Sequence, residues 1–263
     1  MEVDIIELSD DKARFVLKGV NPAIANGLRK SMLSEVPTMA IDYINIYDNT
    51  SVLFDEQLGL RMGLIPLRTD LDSYVLPEDC DCHGEGCTKC QLTLTLSSEG
   101  PIMVYSGDIQ SSDPDVGVAE DRIPIVELKE RQKLVLEAIA KLGTGRKHVK
   151  YQAGVACGYK NMPVITFNES CDACGKCVEE CPREILRLEN NEVIVKDPLQ
   201  CILCKLCVDS CDIRAINVDE DTSAYIFTAE SDGSYPAREL ILRSADTIIE
   251  KAIRLNEILK SIE

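Results

Sequence analysis

The sequence contains no tryptophan, and aromatic residues make up only 5% of its 263 positions, so its core must be assembled mainly from Ile, Leu and Val. Basic residues are also short: 28 Lys and Arg stand against 45 Asp and Glu, a net charge of −17. That balance excludes direct non-specific binding to nucleic acid, which needs a basic face. It fits a soluble chain, or one that docks onto basic partners. No apolar run approaches the length of a membrane span. The opening stretch, MEVDIIELSD, is acidic and too short of apolar residues for a signal peptide. The expectation is a cytoplasmic chain with no membrane contact, a compartment where clustered cysteines bind metal more often than they pair as disulfides. The length allows two or three domains, and 45% hydrophobic residues can supply their cores.

What the sequence has in abundance is cysteine, thirteen in all, eight of them between Cys171 and Cys211. That stretch reads CDACGKCVEECP, eighteen residues, then CILCKLCVDSC. Each half is C-x2-C-x2-C-x3-C, a spacing that lets thiolates wrap one face of an iron–sulfur cube, with a remote fourth ligand closing it. The block resembles a bacterial-type two-cluster ferredoxin domain; the alternative is a disulfide- or zinc-stapled insert. In the ferredoxin pattern the fourth cysteine of each run serves the other cluster. One set is then Cys181, Cys201, Cys204 and Cys207, and the other is Cys171, Cys174, Cys177 and Cys211. The first has Pro182 after Cys181 and an apolar Ile202, Leu203 and Leu206 among its ligands. The second has Asp212 where proline is expected, with Asp172, Glu179 and Glu180 nearby to add negative charge and admit water. The expectation is one stably filled [4Fe–4S] site from the first set and a second that is labile, empty or oxidised to disulfides. A further group, Cys80, Cys82, Cys87 and Cys90 in CDCHGEGCTKC, suits a structural zinc knuckle, with His83 able to replace one thiolate. Two disulfides in a surface loop are the alternative there. Cys157 stands alone and reads as a small buried or inert thiol.

Elsewhere the pattern is mixed. Val3–Leu8 and Ala13–Leu17 alternate around Ser9-Asp10-Asp11 and predict a hairpin. Asn21-Pro22 predicts a helix start, with Ile24, Leu28 and Met32 on one face and Arg29 and Lys30 on the solvated edge of a helix running to about Glu35. Pro37 ends it. Strands are expected at Ile41–Tyr47, Ser51–Phe54, Leu92–Leu96, Ile102–Tyr105, Ile123–Leu128 and Thr222–Thr228, and the apolar run Val164–Phe167 leads into the cysteine block. A short helical face carries Leu58, Met62 and Ile65. Ser111–Glu120 reads as a polar loop. Lys133–Leu142 has a two-residue apolar period but a helix-compatible composition, and both readings stay open. Ile185–Leu188 and Val193–Val195 form a hairpin between the cysteine runs. GTGRKH, Gly143–His148, lacks the Lys-Ser/Thr pair of a phosphate-binding loop. From Pro236 the chain is helical, and Ile241, Ala245, Ile248, Ala252, Leu255, Leu259 and Ile262 repeat at four-three spacing. Such a seam buries against another helix, and no segment of matching length is available within the chain, which points to a partner chain.

Three stretches carry a second resemblance: NPAIANGLRKSMLSEVPTMAID (21–42), DEQLGLRMGLIPLRTD (55–70) and LGTGRKHVKYQAG (142–154). They resemble the subunit family that contains the bacterial RNA polymerase alpha N-terminal domain and the third-largest subunit of eukaryotic polymerase II. Within it they are similar to the archaeal D-type branch, some members of which carry a ferredoxin-like insert at this point. The resemblance implies an α+β chain with a split alpha-like dimerisation domain (1–39 and 224–263), an inserted mainly-β domain (40–165) and a small ferredoxin-like domain (166–223). It implies a heterodimer with a small alpha-like subunit through the terminal seam, with Ile241, Ile248, Leu255 and Leu259 in the interface. It turns the helix bearing Arg29 and Lys30 toward the large polymerase subunits, and adds small zinc-binding subunits as neighbours. Cys80–Cys90 fall where eukaryotic relatives hold zinc, here with spacing one residue longer.

Two functions follow. The leading one is a non-catalytic assembly subunit of a DNA-directed RNA polymerase, with nucleotidyl transfer performed elsewhere in the complex. No aspartate triplet at metal-binding spacing is present, and no residue here is assigned to phosphoryl transfer. The cluster is then structural or makes assembly sensitive to oxygen or iron. The rival is a ferredoxin-type electron-transfer subunit of an oxidoreductase. The acidic charge and tandem motif favour it; the absence of a flavin or nicotinamide fingerprint opposes it.

Overall fold

The structure, a computed structural model, describes residues 1–262 and divides into two compact units. One comprises residues 1–6, 14–25 and 158–227, the other 7–13, 26–157 and the described residues from 228 on. The chain is α+β. Its elements begin with β1 (Glu2–Leu8), β2 (Lys12–Lys18), α1 (Pro22–Ser34), β3 (Thr38–Asn49) and α2 (Asp55–Gly63). There follow β4 (Gln91–Glu99), β5 (Ile102–Tyr105), β6 (Gln110–Ser111), β7 (Pro124–Leu128), β8 (Lys133–Gly143) and β9 (Gly154–Phe167). The cysteine-rich part adds α3 (Lys176–Glu179), β10 (Leu186–Glu189), β11 (Glu192–Val195) and α4 (Leu206–Asp209). Strand β12 (Ile216–Ser231) and helix α5 (Ala237–Lys260) complete it. No described helix is long and apolar enough to cross a membrane.

In the first unit the strand order is β1-β2-β12-β9. The scarce aromatics gather here: Phe15 stacks on Phe227 with centroids 5.0 Å apart, and Tyr159 leans on both Tyr225 and Phe227. Rings concentrate apolar area where a thin sheet needs it. The Asn21 carboxamide accepts from the Ile24 amide at 3.0 Å, capping α1 as the Asn-Pro pair predicts. Strand β1 departs from expectation. Its alternation predicts one buried face, yet all seven residues are exposed, including Val3, Ile5, Ile6 and Leu8. Strands β9 and β12 are also far longer than the short apolar runs 164–167 and 222–228 suggest. Pairing with neighbouring strands recruits residues such as Gly158, Lys160 and Asn161, which have no strand pattern of their own.

In the second unit β3-β8-β4-β6 form a sheet, and β5 pairs with β7 beside it. Strand β8 settles the ambiguity at 133–142 in favour of the two-residue period. Leu134, Leu136, Ala138, Ala140 and Leu142 lie buried on the core side and are joined there by Leu92, Leu94 and Leu96 of β4. Leu58 and Met62 of α2, both fully buried, join the same core. The strand expected at Ser51–Phe54 is absent. Asn49 takes hydrogen bonds from the Ser51 amide and hydroxyl at 3.1 and 2.7 Å and donates to the Leu53 carbonyl at 3.0 Å. This polar turn outcompetes a sheet ladder for the backbone groups.

The 142–154 stretch packs onto the end of α1 through two glycines. A Cβ at Gly145 would lie 2.4 Å from the Leu33 carbonyl oxygen, and one at Gly154 would lie 2.9 Å from that of Met32. Gly145→Ala should therefore lower stability by about 1–3 kcal/mol in a denaturant melt, the cost of forcing packed backbones apart. Glu35, just past α1, meets Lys251 of α5 and Arg146. Burial pushes its carboxyl up, but Lys251 and then Arg146 outweigh this and hold it below the ordinary range. A depressed folded-state pKa contributes stability above the unfolded value of about 4.3, and that contribution disappears as pH falls through the folded value. Both cations are well exposed, so Glu35→Gln should cost less than about 1 kcal/mol at pH 7. The difference between variant and parent in urea midpoints should vanish in acid; a difference independent of pH would exclude this ion-pair origin.

Candidate metal centres

The two cysteine runs fold alike because their backbones repeat. Left-handed residues recur at an offset of thirty: Ala173 and Leu203 both at φ 58°, Gly175 at 80° and Lys205 at 61°, Glu184 and Arg214 both at 51°. The first two pairs wind the cysteine loops, a single helical turn, α3 or α4, follows each, and the third pair comes after that turn. Leu203 and Lys205 hold a conformation that costs a non-glycine residue about 1–2 kcal/mol, so these loops need bonds beyond their own packing. The short β10–β11 hairpin between them turns on Asn190 and Asn191, both left-handed.

The structure brings the eight cysteines together in the crossed arrangement. One cavity is lined by Cys181, Cys201, Cys204 and Cys207, and a second by Cys171, Cys174, Cys177 and Cys211. The thiols act on one another within these groups. Burial, then Cys181, Cys201 and Cys204, push the Cys207 thiol up to about 11. Burial, then Cys171 and further Cys174 and Cys211, push Cys177 up. Four converging thiols in an apolar cavity are a poor arrangement for protein alone and a suitable one for an iron–sulfur group, whose cationic core removes the repulsion.

The walls differ less than the sequence suggests. Ile165, Pro182, Ile185, Leu186, Ile202 and Val218 line the first cavity. Phe167, Val193, Ile213, Ala215 and Ile216 give the second an apolar wall as well. Of the four acids expected to spoil the second site, Asp172 lines it, Asp212 is engaged by Lys176, and Glu179 and Glu180 do not line it. Asp172 is also occupied with the Cys174 amide at 3.2 Å. The Cys211 sulfur accepts from the Ala215 amide at 3.1 Å.

Cys80, Cys82, Cys87 and Cys90 form a third group, their sulfurs all within 4.8 Å of one another. Cys80 lies 3.5 Å from both Cys82 and Cys87, Cys82 lies 3.5 Å from Cys90, and Cys87 lies 3.8 Å from Cys90. None of these is a sulfur–sulfur bond, which spans about 2.05 Å. A tetrahedron with zinc–sulfur bonds of about 2.3 Å has edges of about 3.8 Å, close to the observed spacing. The Gly86 amide and the Cys80 side chain bring the Cys82 thiol down to about 6. A backbone bond from Cys82 pulls Cys80 down, but burial and the three other sulfurs together push it up to about 12. His83 is exposed and outside the group. Cys157, part-buried with its thiol pushed up by burial, joins none of the three groups.

Residues 44–164 match the model of the RNA polymerase Rpb3/RpoA insert domain, and residues 165–216 that of a 4Fe-4S dicluster domain. The chain is 56% identical over 265 residues to the DNA-directed RNA polymerase subunit Rpo3 of Methanosarcina acetivorans, covering 100% of this chain and 99% of that protein. The chain belongs to the archaeal Rpo3 family of DNA-directed RNA polymerase subunits. The Rpo3 of Archaeoglobus fulgidus is 44% identical over 262 residues, with 100% and 99% covered, and that of Halobacterium salinarum 38% over 256, with 97% and 96% covered.

The residues that the resemblance assigns to partners lie at the surface of this Rpo3 family member to different degrees. Helix α5 is anchored at its start, where Ala237, Leu240 and Ser244 are buried and the Ser244 carbonyl accepts from the Ser31 hydroxyl at 2.8 Å. Ile241 is half-buried, Ile248 is 39% exposed, and Leu255 and Leu259 are 58% and 56% exposed. The apolar stripe is wider than the seven-residue seam. Leu242, Ile249, Ile253 and Ile258 are exposed too, a breadth visible in the sequence once flanking positions are counted. Arg29 is part-buried and spends its guanidinium on the Asn26 carboxamide at 3.0 and 3.3 Å; Lys30 is exposed. Sequence reasoning passed over Arg14 and Lys160, which reach the Cys201 loop, because neither stands near the two cysteine runs in the chain.

Proposed function

We propose that this chain is the non-catalytic assembly subunit of a DNA-directed RNA polymerase. Helix α5 would pair with a small alpha-like subunit, and the α1 face bearing Arg29 and Lys30 would receive the large catalytic subunits, with small zinc-binding subunits as further neighbours. Nucleotidyl transfer belongs to the complex, and no residue of this chain is assigned to it. The observation that carries this reading is similarity to Rpo3 over the whole chain, with an apolar stripe on α5 lying open in the isolated chain. The dimerisation segments are 1–39 and 224–263, flanking the insert at 40–165 and the ferredoxin-like part at 166–223; Glu263 lies outside the described residues.

Cys181, Cys201, Cys204 and Cys207 would hold one [4Fe–4S] cluster, and Cys171, Cys174, Cys177 and Cys211 have the donors and apolar wall to hold a second. When bound, such a group supplies thiolate bonds that fix a small domain with little apolar core of its own. Cys80, Cys82, Cys87 and Cys90 would hold a structural zinc. Anaerobic protein should carry about one zinc per chain by elemental analysis, four thiolates closing one tetrahedral site. Cys87→Ser should remove it; unchanged zinc would exclude this site.

The test of the function is gentle affinity purification of the chain from its own cells without oxygen. Two very large chains and a small partner in equal amounts support assembly. A lone chain, or one accompanied by flavin or dehydrogenase subunits, sinks it in favour of electron transfer.

A further inference from the structure

The two cysteine loops repeat, but their surroundings do not. The loop entering Cys201 is held from the sheet by two cations. Lys160 of β9 donates to the Leu199 carbonyl at 2.8 Å and to the Cys201 carbonyl at 2.7 Å. Arg14 of β2 donates to the same Leu199 carbonyl at 3.1 Å. Strands β2 and β9 lie on either side of β12 in the sheet, so the loop is gripped from both flanks. The nearby Asp197 carboxylate is occupied with the Leu199 amide at 3.1 Å. At the offset-related positions, Glu169 and Cys171, no side-chain cation donates to the carbonyls among the described residues; the chain there is tied by Asn168, through its carboxamide to Ser170 and its carbonyl to Cys171. The cation beside the second cavity, Lys176, is engaged by Asp212.

We propose that Arg14 and Lys160 are positioning residues of the Cys181/Cys201/Cys204/Cys207 centre, clamping the Cys201 segment to the sheet and setting positive charge beside this centre and not the other. The inference rests on the reading that these four cysteines hold a cluster. Two consequences follow. A ligand whose main chain is fixed at its own carbonyl and at the one two residues earlier has fewer ways to swing away, so the first centre keeps its metal longer. Positive charge near an anionic cluster favours the reduced form, so these residues raise its potential.

The test uses the full chain, purified anaerobically, with Cys174→Ser as the parent so that the first centre is read alone. Lys160→Met should speed chelator-driven loss of the first centre's absorbance by about 10- to 100-fold, the range found for residues that orient metal ligands. It should also lower the midpoint potential followed by electron paramagnetic resonance. Lys160→Arg should restore both. Arg14→Gln, which removes one of the three bonds, should fall between parent and Lys160→Met, and it carries the test alone if Lys160→Met fails to fold by circular dichroism. Unchanged loss rate and potential in a folded variant overturn the inference while leaving the cluster assignment intact. A parent with no iron that Cys204→Ser removes overturns the assignment, and the inference with it.

Discussion

Leu255→Asp combined with Leu259→Asp should leave the chain folded and unable to retain its partner. Both side chains are more than half exposed in the isolated chain, so charge introduced there stays in contact with water. The anchors of α5, Ala237, Leu240 and Ser244, lie near its other end. In a complex the two leucines would be buried, contributing about 1.5–3 kcal/mol each. Their replacement also forces unpaired carboxylates against an apolar surface. A loss of at least about 4 kcal/mol corresponds to roughly a thousandfold in affinity. Co-purification with the small subunit should fall to background, while circular dichroism and melting of the isolated chain stay near those of the parent. A double variant that still brings down its partner in equal amount would move the interface elsewhere, with the exposed apolar surface of β1 next in line.

Cys204→Ser should remove the iron and acid-labile sulfide of one cluster from anaerobically prepared protein. Cys204 is exposed, so the substitution leaves no cavity in the core. A serine hydroxyl is a hard, weakly acidic donor and does not replace a soft thiolate on such a cluster. Without the cluster, Leu203 and Lys205 keep their left-handed strain with nothing to offset it, and the small core around Ile185, Leu186, Ile216 and Val218 must hold the domain alone. Limited proteolysis within 166–223 should accelerate about tenfold or more, the factor for each 1.4 kcal/mol of lost local stability. Iron content undiminished by this substitution would exclude the first set as a cluster site.

The legible parts of this protein are those set by local spacing. Cysteines three and four residues apart already specify a loop that turns its thiols inward, and the crossed pairing of Cys181 with Cys201, Cys204 and Cys207 follows once two such loops are joined by a short hairpin. The Asn21 cap and the α5 apolar repeat are equally local, since each depends on residues three or four apart. The family was legible for a different reason: three separate stretches match one pattern, and one of them carries two glycines that backbone contact requires, Gly145 and Gly154.

By itself, then, the sequence determined that this chain is acidic, α+β, rich in metal-ligand cysteines and open on one face of its last helix. Only the tertiary structure decided that Lys133–Gly143 is a strand, because its apolar period acquires a core side from β4 and α2. Only there does the charge around the second cavity shrink, as Lys176 engages Asp212 from thirty-six residues away. The grip of Arg14 and Lys160 on the Cys201 loop belongs to the same class, at separations of 185 and 41 residues. Hydrogen bonds and ion pairs act over a few ångströms in space whatever the distance along the chain, so a pattern read within a window of ten residues cannot contain them.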